Sequence, residues 1–148
     1  MHCFDQVKAV IFVAALSDFD VMLYEDQVTN RMHDSLTLFA AVCNKRWFRE
    51  AGMILFLNKT DVFEAKITDP DGKHLTSCFP EYKGDLKSVP EALDYIRHQF
   101  VHSNNNQRKV IYTHFTCATN TNNIHVVFNA VTDIISKEMF GLCNIYRA

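Results

Sequence analysis

Short apolar runs alternate with segments of helical periodicity along this chain. The runs at 7–16, 53–57 and 110–115 are nearly continuous in apolar or β-branched residues, as buried strands are. Between the first two runs, apolar residues recur at spacings of three and four, which predicts a helix of about four turns. The apolar positions of this helix are Val28, Met32, Leu36, Phe39 and Cys43.

Two further helices are predicted in the second half of the chain. Ser88 and Glu91 match the S-x-x-E capping box, which predicts a helix start, and the polar run 103–106 ends that helix. Its apolar face carries Leu93, Ile96 and Phe100. Thr121 or Asn122 is expected to cap the last helix. The residues expected to point inward from that helix are Ile124, Val127, Phe128, Val131 and Ile135.

Strands that alternate with helices of this length predict βαβ units and one α/β domain with a parallel sheet and flanking helices. Parallel sheets of this architecture usually contain five or six strands, whereas three are predicted here. The short sheet suggests that part of the architecture is missing.

Composition narrows the possible functions. The net charge is −2 and both signs are interspersed, so the sequence suggests neither nucleic-acid binding nor binding to an acidic membrane surface. No apolar run approaches the ~20 residues of a membrane span, and the first residues resemble neither a secretory signal nor a lipidation motif. The five cysteines are scattered and form no CxxC pair, which favours a reducing compartment. We therefore expect a cytoplasmic protein.

Polar residues follow two of the predicted strands at the point where each strand ends. Asn58–Asp61 leaves the second strand, and Thr116–Thr119 leaves the third. Ligands of such sheets bind at the carboxyl ends of the strands. If these strands are neighbours, the two loops meet at one rim and form a pocket.

Asp61 is the most informative residue of these loops. A carboxylate accepts two hydrogen bonds side by side, which matches guanine, whose N1–H and exocyclic amine are adjacent donors, but not adenine. Lys59 could lay its aliphatic stem over the purine face, and the backbone N–H of Ala118 could donate to the guanine carbonyl oxygen. The alternative is that Asn58 and Asp61 only cap the following helix.

The segments "FLNKTD" and "TCATNTNNI" resemble the base-recognition motifs of heterotrimeric G-protein alpha subunits. "NRMHDSL" and "CFPEY" also match this family, and the resemblance covers residues 2–146. It implies that the chain binds GDP or GTP. The residues that it assigns to guanine are Asn58, Lys59 and Asp61, with Cys117, Ala118 and Thr119 lining the far side of the base.

The resemblance further implies that residues 1–148 are the C-terminal portion of a Ras-like P-loop GTPase domain. The sequence contains no G-x-x-x-x-G-K-[ST] loop, and the family's switch threonine, catalytic arginine and glutamine have no match. We therefore expect no catalytic residue, no metal ligand for the magnesium of the complete family protein, no GTP hydrolysis and only weak nucleotide binding by this chain alone. A fragment of a longer protein and a natural short product both remain open.

The last helix and tail, residues 121–148, match the element with which the family docks into G-protein-coupled receptors. The receptor-facing residues are expected to be Leu142, Cys143, Ile145 and Tyr146, although the ending "CNIYRA" departs from the usual family tail. The resemblance also implies a beta-gamma dimer and effectors as partners, and a location at the inner face of the plasma membrane.

An alternative function is a truncated, non-enzymatic receptor-interaction module. A third possibility is a non-functional chain whose exposed first strand causes aggregation.

Other candidate sites are weaker. His98 and His102 lie one helical turn apart but lack a third ligand, so no metal site is predicted. The acids around Asp18 and Asp20 are explained by a following helix N-terminus. By the family's geometry, Arg31 should face a switch segment that this sequence lacks, and it is expected to have no intramolecular partner.

Overall fold

The structure, a computed structural model, describes residues 7, 9–117, 125, 128, 129, 131–133 and 136. The strands are β1 (Ala9–Ala15), β2 (Gly52–Asn58) and β3 (Ile111–Phe115). The helices are α1 (Arg31–Cys43), α2 (Thr60–Thr68) and α3 (Val89–His102). Short 3-10 turns lie at Leu16–Asp20, Arg46–Phe48 and Leu75–Ser77. No helix in this part of the chain is both long and apolar enough to cross a bilayer.

The three strands form one parallel sheet in the order β1-β2-β3. In the register, Leu55 of β2 lies between Phe12 of β1 and Thr113 of β3. The central strand is buried on both faces, and Met53 to Leu57 are each at most 3% exposed. This arrangement confirms the predicted α/β fold with a parallel sheet.

Helices α1 and α3 pack on one face of the sheet through aromatic contacts. The ring of Phe39 lies 5.2 Å from that of Phe12 and 5.4 Å from that of Phe100, both edge to face. Such pairs contribute about 0.5–1.5 kcal/mol beyond the area that they bury. On the opposite face, Val131 packs against Ile54 and Phe56. The core therefore lies mainly between the sheet and these two helices.

Helix α1 begins later than the apolar periodicity predicts, because a local hydrogen-bonded turn precedes it. The Asp26 carboxylate accepts hydrogen bonds from the amides of Val28 and Thr29, both at 2.9 Å. Asn30 then caps the helix by accepting from the Met32 amide at 2.8 Å. Val28, expected on the inner face of the helix, is instead 80% exposed. The prediction for Val28 was wrong.

Helix α3 begins where the sequence predicts, but only half of the capping box is formed. The Ser88 hydroxyl accepts from the Glu91 amide at 3.4 Å, whereas the Glu91 carboxylate accepts from the Asp85 amide at 2.9 Å. Ile96 and Phe100 are fully buried, as expected of its inner face. Glu91 therefore holds the loop that leads into the helix.

The predicted last helix is described in part. Val131 contacts the sheet as expected, but Phe128 is 69% exposed, so the prediction that it points inward was wrong. Val131 covers Ile54 and Phe56 of β2. The three described strands offer no comparable apolar surface to Phe128, which remains exposed. The other predicted cap and inward residues, Thr121, Asn122, Ile124, Val127 and Ile135, lie outside the described residues.

The acids that follow β1 form ion pairs with basic residues of two helices. Asp20 accepts from Lys66 of α2 at 2.6 Å, and the same ammonium donates to the Ser17 carbonyl at 2.8 Å. Asp18 lies 3.6 Å from the Arg31 guanidinium. The expectation that Arg31 lacks an intramolecular partner was therefore wrong, because the turn after β1 supplies the carboxylate.

The outer edge of β1 predicts self-association. Among the described strands β1 pairs only with β2, and Ile11 and Val13 on its outer face are 49% and 60% exposed. Apolar side chains beside an unpaired strand edge favour edge-to-edge pairing, and a lysine opposes it. We expect Val13→Lys to lower the association constant measured by sedimentation velocity at least several-fold.

Leu38→Lys is the matched control, because Leu38 is 54% exposed and belongs to α1, not to a strand. It should leave the association constant unchanged. A monodisperse unsubstituted chain, or an equal effect of both substitutions, would contradict association through β1.

Candidate functional site

The pairing of β2 with β3 brings the two predicted loops together at the carboxyl ends of the strands. The Thr116 amide donates to the Leu57 carbonyl at 2.9 Å, which extends the strand pairing by one bond beyond β3. The Thr116 carbonyl then accepts from the amide and the hydroxyl of Thr60, both at 3.3 Å. The rim predicted from the sequence is therefore formed, and Thr116 connects its two loops.

The side chain of Asn58 is held by the opposite loop. The Thr116 hydroxyl donates to Asn58 Oδ1 at 3.1 Å, and Thr116 is 7% exposed. The N-cap of α2 is Lys59, and no side-chain hydrogen bond caps it. The alternative that Asn58 caps this helix is thus not supported by the geometry.

Lys59 reverses the chain between β2 and α2. Its backbone is left-handed, with φ 61° and ψ 45°, and its carbonyl accepts from the Phe63 amide at 3.0 Å to begin the helix. Gln27 is the other non-glycine residue with positive φ in the described part of the chain. A left-handed lysine costs about 1–2 kcal/mol, and such strain is found most often at binding and catalytic sites.

Asp61 joins the two loops through its carboxylate. The Cys117 thiol donates a hydrogen bond to this carboxylate and is the main cause that lowers the pKa of Asp61; the Val62 amide lowers it further. The amide contact means that the helix-capping alternative holds in part for Asp61. Asp61 and Lys59 are exposed, and Asn58 and Cys117 are half-buried. The carboxylate is thus ionised and open to a ligand.

Four of the six predicted guanine-binding residues lie at this rim: Asn58, Lys59, Asp61 and Cys117. Ala118 and Thr119 lie outside the described residues, as do the predicted receptor-facing residues Leu142, Cys143, Ile145 and Tyr146. The roles of all of these residues remain predictions.

The family model of the G-protein alpha subunit matches residues 1–135. This chain belongs to the G-protein alpha subunit family. It is 49% identical over 146 residues to a "Guanine nucleotide-binding protein G(o) subunit alpha" of Caenorhabditis elegans, and equally to that of Locusta migratoria. It is 50% identical over 149 residues to the "Guanine nucleotide-binding protein alpha-4 subunit" of Caenorhabditis elegans. The alignments cover 99% of this chain and 40% of each of these relatives.

Within this alpha-subunit chain, the described residues contain no group of three or more His, Cys, Asp or Glu side chains that could hold a metal ion. The rings of His98 and His102 do approach each other, with centroids 4.4 Å apart. The pair therefore packs together along one face of α3.

Sequence reasoning missed the contacts that organise the rim. The hydrogen bond from Thr116 to Asn58 and the one from Cys117 to Asp61 each join residues more than fifty positions apart. Thr116 and Cys117 follow β3 directly, so the register of β3 against β2 was the signal that could have located both. That register is not readable from spacing alone.

The Asp61–Cys117 contact predicts a measurable pKa change. Cys117→Ala removes the thiol donor, so the pKa of Asp61 should rise toward its ordinary value, whereas Cys117→Ser keeps a donor and should preserve most of the shift. Carbonyl-detected NMR titration of Asp61 measures this directly. Because the folded-state pKa is lowered, the contact stabilises the fold above about pH 4 and is lost as the pH falls through the folded-state pKa.

Asp71 is a suitable internal reference, because it is exposed and lies in the turn that follows α2. Its carboxyl chemical shift at pH 7 should be unchanged by both substitutions. If Cys117→Ala left the titration of Asp61 unchanged, the thiol would not be the donor.

Proposed function

We propose that this chain binds the guanine base of GDP or GTP at the rim formed by residues 58–61 and the loop that begins at Thr116. The observation that carries the proposal is the position of Asp61, whose exposed carboxylate is held in contact with Cys117 of the opposite loop. Membership of the G-protein alpha subunit family and relatives named as guanine nucleotide-binding support the same function.

The rim offers hydrogen-bonding groups that complement guanine. The Asp61 carboxylate accepts from N1–H and from the exocyclic amine, and its lowered pKa keeps it ionised at neutral pH. The thiol contact restricts the orientation of the carboxylate before the base arrives, which reduces the ordering cost of binding. A site that leaves such groups unpaired with the wrong base can discriminate by ~10⁴-fold.

Asn58 and Lys59 frame the base on the other side. The hydrogen bond from Thr116 fixes the Asn58 side chain, and the left-handed turn at Lys59 places an exposed aliphatic stem at the rim. Such a stem can cover the face of a purine while its ammonium remains solvated. In this proposal, the strained backbone of Lys59 serves to place its side chain over the base.

We do not propose that these 148 residues hydrolyse GTP by themselves. They contain no phosphate-binding G-x-x-x-x-G-K-[ST] motif, and contacts to the base without phosphate contacts give affinities of about 1 mM. In a complete alpha subunit, phosphate and magnesium binding would come from segments that are not among these residues. The chain spans 40% of the length of the curated relatives that it matches.

Nucleotide titrations followed by NMR test the guanine site. We expect GDP to bind with a dissociation constant of about 1 mM and ADP much more weakly. Asp61→Asn should weaken GDP binding and favour xanthosine diphosphate, because the amide donates to the 2-carbonyl of xanthine where the carboxylate could only accept. Unphosphorylated guanosine should shift the same rim resonances.

Asp71→Asn removes the same charge from an exposed turn and should change none of these affinities. Equal binding of GDP and ADP would contradict base recognition at this rim. Micromolar GDP binding would instead show that other groups in this chain hold the phosphates.

We further propose that the chain acts in receptor signalling, with a G-protein-coupled receptor, a beta-gamma dimer and effectors as partners, at the inner face of the plasma membrane. Family membership supports this, and the predicted receptor contact is the tail from Leu142 to Tyr146.

Removal of residues 140–148 should abolish binding to receptor-containing membranes. If binding survived this deletion, the tail would not be the receptor contact. If the Asp61→Ala variant still bound to receptor-containing membranes, the alternative function of a non-enzymatic receptor-interaction module would be favoured.

A further inference from the structure

A second polar cleft lies at the opposite end of the sheet from the guanine rim. It has a volume of about 890 Å³ and is lined by the connection from α1 to β2 and by the connection from α3 to β3. Gly52, the first residue of β2, contributes to its lining. Its charged and amide side chains include Asn44, Lys45, Arg49, Glu50, Arg108 and Lys109.

Side-chain hydrogen bonds hold the two connections against each other. Asn44 Nδ2 donates to the Ser103 carbonyl at 3.1 Å, and Asn44 Oδ1 accepts from the Asn105 amide at 3.0 Å. One asparagine at the end of α1 thus joins the residues that follow α3. The walls of the cleft are fixed relative to each other by these bonds.

Lys109 adds a third link between the same connections. Its ammonium donates to the carbonyl of Cys43, the last residue of α1, at 3.2 Å, and also to the carbonyl of Phe48. Because the last carbonyls of a helix lack partners within the helix, this lysine has a structural role. The position of Lys109 in the cleft is therefore explained by these backbone contacts, without a bound ligand.

The two arginines of the cleft, Arg49 and Arg108, have no such structural explanation. Lys45, Arg49 and Arg108 are exposed, and Glu50 is the single acid among the lining residues. In the described part of the chain, neither Arg49 nor Arg108 has a side-chain ion pair or hydrogen bond. The chain as a whole carries a net charge of −2. A local excess of positive charge on such a chain attracts anions.

We propose that this cleft binds a compact ligand with several phosphate groups, an inositol polyphosphate in free form or as a phosphoinositide headgroup. Guanidinium groups bind phosphate oxygens through paired hydrogen bonds, and here they project from two connections into one cleft. Charges that converge on a cleft match a compact polyanion better than an extended acidic peptide. The cleft also lies within the size range of small-molecule sites, about 300–1,000 Å³. This site is separate from the proposed guanine rim.

The chain contains its own reporter for this site. Trp47 is its single tryptophan, is 59% exposed, and has the Lys45 ammonium 5.7 Å from its ring centroid. Because Lys45 lines the cleft, a bound phosphate should draw it from the ring and change the tryptophan emission. Titration with inositol hexakisphosphate, followed by fluorescence and calorimetry, should show saturable binding at one site.

The double variant Arg49→Gln/Arg108→Gln keeps Lys45 and Trp47 intact and should weaken this binding at least ten-fold. The control Lys73→Gln/Lys87→Gln removes the same charge from exposed positions outside the cleft and should change the affinity less than two-fold. Asp61→Asn should leave it unchanged, which separates this site from the guanine rim. Circular dichroism melting verifies that each variant is folded.

Vesicles distinguish the two sources of the ligand. Binding to phosphatidylcholine vesicles that contain phosphatidylinositol 4,5-bisphosphate, and not to phosphatidylserine vesicles of equal charge, would identify a lipid headgroup. Binding of the soluble polyphosphate alone would identify a free ligand. Equal losses in the cleft and control variants, no binding at millimolar concentration, or preference for polyglutamate over inositol hexakisphosphate would each overturn the proposal.

Discussion

The central strand β2 is buried on both faces and hydrogen-bonded along both edges, and the remainder of the structure depends on this arrangement. Met53 to Leu57 are almost completely inaccessible to solvent. A buried polar group without a partner costs about 1–3 kcal/mol, so the interior of this strand has no place for binding chemistry. Polar side chains can therefore gather only where the strand ends. Both proposed sites lie there, one at each end of β2.

At the carboxyl end, a single threonine organises the change from buried strand to open rim. Thr116 continues the strand pairing through its amide, accepts from Thr60 through its carbonyl, and orients Asn58 through its hydroxyl. With all three polar groups of Thr116 used, its burial carries little desolvation penalty. The same contacts hold the chain in position while Lys59 adopts its strained conformation. The rim is preorganised as a result, which is the property that a base-recognition site needs.

The fold was predictable from the sequence because each element has a strong local pattern. All three predicted strands are present, with bounds shifted by one or two residues at their ends. The errors arise where non-local or short-range polar contacts override that pattern. Val28 fits the helical period but is held in a turn by Asp26. Phe128 fits the inward face of the last helix, but its burial depends on what the sheet places beneath it.

The two sites differ in how far the sequence predicted them. The residues proposed to bind guanine occur as a short motif, so Asn58, Lys59 and Asp61 were recognisable together. The cleft is assembled from Lys45 and Arg49 in one connection and Arg108 in another, about sixty positions later. The sequence shows these cations as interspersed charge, and only the parallel pairing of β2 with β3 brings them together. Interspersed charge along a chain therefore does not exclude a concentrated charge on its surface.

The length of β2 determines how the two sites relate to each other. The strand has seven residues, and a rise of about 3.3 Å per residue separates its ends by roughly 20 Å. That distance exceeds the reach of a ribose diphosphate from a base held by Asp61. The phosphates of a nucleotide at the rim therefore cannot occupy the cleft. Any phosphate bound by Arg49 and Arg108 must belong to a second ligand, and the rigid sheet between the two sites allows both to be occupied at once.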